Sequence, residues 1–246
     1  MQALAVEVVG LKDLTHDVRE LELRLMMPAE VEFQPGQFLS FDIAVEGKPH
    51  PVTRAYSIAS PPSVRDRLTL VFNRVDSGPG TRFLFGLAVG DRVACKGPAG
   101  SFRLRDDGQK EVLFVATGTG IAPLWSMLHA HLARGRSSAV TLFWGLRSQK
   151  DLYYQQELAA LAAAHPTFQW ETVLSRPEPG WAGCIGRVTT LVQERITSVG
   201  NLAVYLCGNG GMIKDVTETL RAKGLCPIYR EKWYDGPDDV PVPPPR

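Results

Sequence analysis

The chain has 246 residues, with 27 basic and 26 acidic side chains and 44% apolar residues. That length supports two modest domains with real cores. The balanced charge contains no basic block for nucleic acid and no acidic run of a disordered tail. The four cysteines, Cys95, Cys184, Cys207 and Cys226, lie far apart without CxxC spacing. No zinc, iron–sulfur or other metal site is therefore expected, and the cysteines read as reduced thiols of a cytoplasmic protein.

The N-terminus, Met1 to Leu14, carries acidic Glu7 and no long apolar core, so it does not read as a secretory signal. The long uncharged stretch Val112 to Leu128 holds Gly118, Gly120 and Pro123 among threonines. It makes a poor membrane helix and reads instead as a buried strand, turn and helix; no membrane span is expected.

In chain order, residues 1 to about 105 read as short strands separated by Gly, Pro and Asp turns. Examples are Leu4 to Val9, Val18 to Leu25, Gln37 to Val45 and Leu68 to Arg74. Many short strands at close spacing predict an antiparallel barrel or sandwich. The pattern changes near Asp106-Asp107-Gly108. Strands are then expected at Val112 to Ala116, Val140 to Trp144, Phe168 to Leu174 and Leu202 to Cys207. Helices are expected after Leu124, over Leu152 to Ala164, and over Met212 to Lys223 with Gly224 as its stop. Alternating strands and helices predict a parallel α/β sheet. The domains are placed at 1–106 and 107–246, with a proline-rich, extended end from Asp235 to Arg246.

Two short segments carry the chemistry. The first is Arg54-Ala55-Tyr56-Ser57. Strand alternation puts Arg54 and Tyr56 on one face. A guanidinium binds phosphate through two parallel hydrogen bonds, and a tyrosine offers a flat face for a ring. Ser57 points the other way and could donate to a flavin nitrogen or a nicotinamide. The same four residues also fit a plain barrel strand with a surface arginine and a core tyrosine. Further on, Gly78-Pro79-Gly80-Thr81 can open a helix whose free amides favour phosphate.

The second segment is Thr117-Gly118-Thr119-Gly120-Ile121-Ala122-Pro123, a glycine turn between an apolar strand and a helix start. Such a turn can hold a dinucleotide pyrophosphate. Pro123 breaks the full GxGxxG pattern but is tolerated in a first helical turn. Cys207-Gly208-Asn209 ends the fourth strand of the same half. Ligands of open α/β sheets sit at such carboxyl ends, and Gly208 permits close approach. Cys207 there can touch a planar ring or simply be buried before a loop.

With Gly97-Pro98-Ala99-Gly100-Ser101-Phe102 added, the chain resembles the ferredoxin–NADP(+) reductase superfamily over nearly its whole length. The resemblance implies an N-terminal antiparallel Greek-key barrel that binds FAD and a parallel-sheet domain that binds NADP(H). FAD would lie between Arg54, Tyr56, Ser57, the strand Val71, Phe72, Asn73, and Gly80–Thr81. Ser57, Cys207 and Glu231 map onto the family's hydride-transfer set. Thr117, Gly118, Gly120 and Gly208 map onto its nicotinamide-nucleotide site, and Trp233 onto the aromatic that covers the flavin.

A 2′-phosphate needs arginine or hydroxyl partners, whereas a free 2′-OH prefers an acid. Ser175 and Arg176, helped by Arg147 and Arg187, point to NADP(H), with NADH the alternative. Without cluster cysteines, the electron partner would be a separate carrier such as ferredoxin or flavodoxin. Two other readings are an NADH-dependent reductase component of an oxygenase system and a non-enzymatic flavin-binding electron-transfer subunit.

Overall fold

A computed structural model describes residues 1–75, 78–106, 111–135 and 137–232. In the first half, six strands form one antiparallel sheet. They are β1 (Gln2–Asp13), β2 (Val18–Met27), β3 (Phe38–Ile43), β4 (Val52–Ser57), β5 (Arg67–Asn73) and β6 (Arg92–Ala99), in the order β4-β3-β6-β1-β2-β5. A bridge between Ile58 and Leu70 brings the two edges together, and the Ala59 amide donates to the Thr69 carbonyl at 2.7 Å. β3, β4 and β5 follow one another and β6 returns beside β3, which is the Greek-key order. Alternation fills the interior. Val6, Val8, Leu21, Leu23, Leu39, Phe41, Leu68 and Leu70 are all buried in one core. The short helix α1 (Pro79–Phe85) follows β5.

The second half holds a parallel sheet. Its strands are β7 (Glu111–Thr117), β8 (Val140–Leu146), β9 (Phe168–Leu174), β10 (Cys184–Ile185), β11 (Leu202–Gly208) and β12 (Ile228–Lys232), in the order β10-β9-β8-β7-β11-β12. Helices α2 (Ile121–Leu132), α3 (Gln155–Ala164), α4 (Val188–Arg195) and α5 (Gly210–Lys223) connect them. The chain runs one way from β7 to β9, then returns to place β11 on the other side of β7. The gap between the carboxyl ends of β7 and β11 is therefore the topological switch point, where such sheets bind ligands. None of the described helices is long and apolar enough to cross a membrane.

One expected helix starts late. The sequence pattern runs from Leu152, but α3 begins at Gln155. Tyr154 before it has φ 56°, the left-handed region, and breaks the helical path.

The halves share a core. Val18, Ala59, Val71, Phe102 and Leu104 of the first half are buried in one cluster with α2 residues Ile121, Leu124 and Trp125. Polar contacts cross the same seam. Ser126 donates to the Ser60 carbonyl at 2.7 Å, and Thr119 to the Asn73 side-chain oxygen at 3.1 Å. An apolar seam of this kind holds two domains in one relative position.

Candidate active site at the domain seam

One open turn and two close approaches build the switch point. Gly118 opens the turn after β7 with φ 53°, and a Cβ there would meet nothing within 4 Å. The turn thus leaves a bare backbone facing open space. The Gly118 carbonyl, pointing inward, accepts from the Trp144 indole at 3.0 Å and the Tyr153 hydroxyl at 3.3 Å. Gly120 is needed for contact: its Cβ would lie 2.3 Å from the Cys207 carbonyl oxygen. Gly208, with φ 148°, would put a Cβ 2.1 Å from the Thr117 hydroxyl. That hydroxyl accepts from the Asn209 amide at 3.1 Å and its side-chain nitrogen at 3.3 Å. Asn209 also caps α5 by accepting from the Met212 amide at 2.7 Å.

The expected hydride-transfer residues meet from both domains. Ser57, buried at the end of β4, donates to Glu231 on β12 at 3.3 Å. Glu231 is paired in register with Cys207 on β11, and parallel neighbours share a sheet face. Cys207 is fully buried. Burial raises the Glu231 carboxyl to about 7, with the Ser57 hydrogen bond pulling the other way. A carboxyl raised by burial beside a single hydroxyl partner makes this a candidate functional site.

In the barrel wall, Arg54 and Tyr56 do share a side. A Cβ on Gly80 would meet the Tyr56 hydroxyl at 2.3 Å and Arg54 Cγ at 2.9 Å. Their exposure differs. Arg54 is exposed, and its side chain bonds only its neighbour, the Thr53 carbonyl, among the described residues. Tyr56 is 6% exposed and packs edge-on between Phe41 and Phe72. The Tyr56 ring is thus packed into the barrel core, with its hydroxyl directed at Gly80. The Thr81 hydroxyl is occupied within its own loop, donating to the Val75 carbonyl at 2.8 Å. Any phosphate contact at Gly80–Thr81 would therefore come from the backbone. Val71 and Phe72 are buried, while Asn73 at the strand end reaches Thr119.

At the far end of the parallel sheet, the Arg176 amide donates to the Arg147 carbonyl at 2.7 Å, and the Gly186 amide to the Leu174 carbonyl at 2.9 Å. This brings Arg147, Ser175, Arg176 and Arg187 to one edge, all four exposed. Nearby acids are occupied: Glu178 pairs with Lys150 at 2.8 Å and Asp151 caps Ser148. Trp233 lies outside the described residues.

Sequence reasoning did not single out Trp144, Tyr153, Thr119 or Asn209. Only Asn209 had a local signal, an N-cap residue before a helix. One group of metal-type ligands occurs among the described residues, His16, Asp17 and Asp151, with ligand atoms within 4.8 Å. Its carboxylates already accept from Thr15 and Ser148.

The residues present fit the two cofactors: bare glycine backbone for a pyrophosphate, an exposed arginine over Gly80, and a buried serine bonded to a half-buried glutamate. The comparisons agree. An oxidoreductase FAD-binding domain matches residues 5–104, and an oxidoreductase NAD-binding domain matches residues 114–218. Ferredoxin–NADP reductase B of Sorangium cellulosum is 34% identical over 88% of this chain and 90% of its own length. The naphthalene 1,2-dioxygenase system ferredoxin–NAD(P)(+) reductase component of Pseudomonas putida is 31% identical over 93% of this chain and 68% of its own. The solved cytochrome P450 reductase GcoB of Amycolatopsis superposes with a TM-score of 0.83 at 32% identity, covering 94% of this chain and 69% of that one. The chain belongs to the ferredoxin–NADP(+) reductase family, flavoprotein oxidoreductases that join an FAD-binding barrel to an NAD(P)-binding α/β domain.

Proposed function

We propose that this oxidoreductase uses NADP(H) to reduce FAD and passes the electrons to a separate carrier protein such as ferredoxin or flavodoxin. The meeting of Ser57 and Glu231 beside Cys207, at the switch point, carries the reading. FAD supplies the hydride and single-electron chemistry when bound. The protein's own groups do the positioning. Arg54 would neutralise the flavin pyrophosphate, with Gly80 letting that phosphate approach Tyr56 and Arg54. Thr117, Gly118 and Gly120, with Gly208, would receive the nicotinamide nucleotide on bare backbone. Glu231 and Ser57 would orient the nicotinamide ring through a shared hydrogen bond while Cys207 excludes water from the reacting side. Ser175, Arg176, Arg147 and Arg187 would recognise a 2′-phosphate. The four cysteines, none in a disulfide, fit a cytoplasmic setting.

A second reading is an NADH-dependent reductase component of an oxygenase system; the Pseudomonas putida relative is named as a reductase component of a dioxygenase system, with NAD(P)(+) as its nucleotide. Mixing the FAD-loaded protein with each nucleotide and following flavin absorbance decides between them. Faster bleaching by NADPH at equal concentration supports the first reading, and faster bleaching by NADH the second. No bleaching by either overturns both.

A further inference from the structure

The rings of the adjacent tyrosines 153 and 154 pack edge-on, centres 5.2 Å apart, and Tyr154 holds φ 56°, the single positive-φ position among described non-glycine residues. A bulky, buried residue adopts that conformation only when its surroundings impose it. Tyr154 lies flat on Trp125 of α2, with ring centres 4.6 Å apart and planes 15° apart. Its hydroxyl reaches across the domain seam and donates to the Glu20 carboxylate on β2. Burial and the nearby Glu20 charge hold the phenol above the ordinary tyrosine range, so it remains a donor. Glu20 sits opposite Val71 in register, on the strand next to the expected flavin site.

Tyr153 packs edge-on against Tyr154 and reaches the nucleotide turn. It meets Trp144 edge-on at 4.7 Å and donates to the Gly118 carbonyl at 3.3 Å. One backbone step therefore links the barrel wall beside Val71 to the glycine turn of the nucleotide site. The apolar seam around it resists separation of the domains but sets no register by itself. The Tyr154–Glu20 contact is directional and adds to the register set by the Ser126–Ser60 and Thr119–Asn73 bonds.

We propose that Tyr154 and Glu20 form an interdomain latch that positions the Gly118 turn against the flavin strand for hydride transfer, with Tyr153 transmitting that position. Both are positioning residues, and the inference rests on the proposed reduction of flavin by a nicotinamide nucleotide. Hydride transfer depends on a short, aligned approach, and a displacement of about 1 Å can cost about a hundredfold in rate. Loss of the latch should therefore slow the reaction more than it weakens nucleotide binding.

The test uses FAD-loaded full chain, NADPH as the probe and rapid mixing. Tyr154→Phe keeps the stack on Trp125 and loses only the hydroxyl. It should reduce flavin about tenfold more slowly at saturating NADPH, with the dissociation constant little changed. It should also weaken the long-wavelength absorbance of stacked nicotinamide and flavin. Glu20→Ala should do the same, and the double variant should be no worse than either single. Glu20→Gln, whose amide oxygen still accepts, should stay near wild type. Variants that melt earlier yet keep the wild-type saturating rate and spectrum would show a merely structural contact and overturn the latch. So would additive losses in the double variant. If Tyr154→Phe does not fold, the Glu20 pair decides alone. Failure of wild type to react with either NADPH or NADH overturns the functional reading and the latch with it, whereas unchanged variants of a reactive wild type overturn the latch alone.

Discussion

Ser57 donates to the Glu231 carboxylate at 3.3 Å, joining a barrel strand to the outer strand of the parallel sheet across 174 residues. Neither residue could do this alone. β4 ends at Ser57 where the barrel meets the seam, and β12 runs parallel to β11 so that Glu231 lies beside Cys207. The contact exists because the switch point of one domain opens onto the rim of the other.

Its titration has a definite sign. Burial raises the folded pKa of Glu231 from 4.5 to about 7. An acid with a raised folded pKa binds its proton more tightly in the folded state. Its contribution to stability is greatest below 4.5, falls as pH rises towards 7 and is flat above. Glu231→Gln stays neutral, so it should match wild type near pH 4. It should be more stable by about 3 kcal/mol at pH 8. Urea unfolding of both proteins at the two pH values checks this; the same pH slope in both would mean that Glu231 is not the titrating group.

Cys207 sits at the end of β11, fully buried beside Glu231. Cys207→Ser keeps the size and changes polarity next to the reacting ring. Flavin reduction at saturating NADPH should slow by about tenfold or more with binding nearly unchanged, as for an interaction made mainly in the transition state. Rapid-mixing traces that match wild type would make Cys207 a packing residue.

Much of this site was legible locally. The run from Val112 through Pro123 read as strand, turn and helix, and β7 and α2 take those places because apolar periodicity and glycine punctuation agree there. The Ser57, Cys207 and Glu231 set came through family motifs, not through spacing, since nothing local ties residue 57 to residue 231. Tyr56 shows the opposite case: alternation placed it with Arg54, but which side of the barrel is core depends on closure of the sheet. Tyr154 had no sequence signal at all. Its left-handed backbone follows from contacts with Trp125 and Glu20, and Leu152 to Ala164 looks helical throughout.

Arg54 is exposed above Gly80 without an acidic partner among the described residues. If it meets the flavin pyrophosphate, its loss removes a charge-assisted contact of about 1.5–3 kcal/mol. Arg54→Ala should therefore purify with much less flavin and bind added FAD roughly 10- to 100-fold more weakly. Fluorescence titration of the stripped protein measures this, and unchanged affinity would remove Arg54 from the cofactor site.

Nucleotide choice should depend on Arg176, whose backbone amide is held by Arg147 at 2.7 Å at the carboxyl edge of the sheet. Arg176→Asp places an acid where a 2′-phosphate would lie. kcat/KM with NADPH should fall by roughly 10- to 100-fold while NADH is spared. Equal losses with both nucleotides would show a structural residue.

The electron carrier should meet the positive groove between α5 and β12. Lys214, Arg221, Arg230 and Lys232 line this space of about 470 Å³, with Glu218 its one acid among the described residues. The chain is otherwise close to neutral, at +1, so this cluster is a local feature and not a reflection of net charge. Arg230 and Lys232 alternate with Glu231 along β12, so the groove opens on the sheet face opposite the Ser57–Glu231 contact. An acidic carrier would be steered there, and steering acts on the association rate and weakens with salt. Reversing Arg221 and Arg230 together to Glu should lower kcat/KM for an acidic ferredoxin or flavodoxin about tenfold at low ionic strength and flatten its salt dependence. Flavin reduction by NADPH in the same variant should stay at the wild-type rate, because neither arginine reaches the nucleotide turn. A carrier rate unchanged at low salt would place the docking surface elsewhere, and a parallel loss in flavin reduction would mean that the groove supports the fold and not the partner.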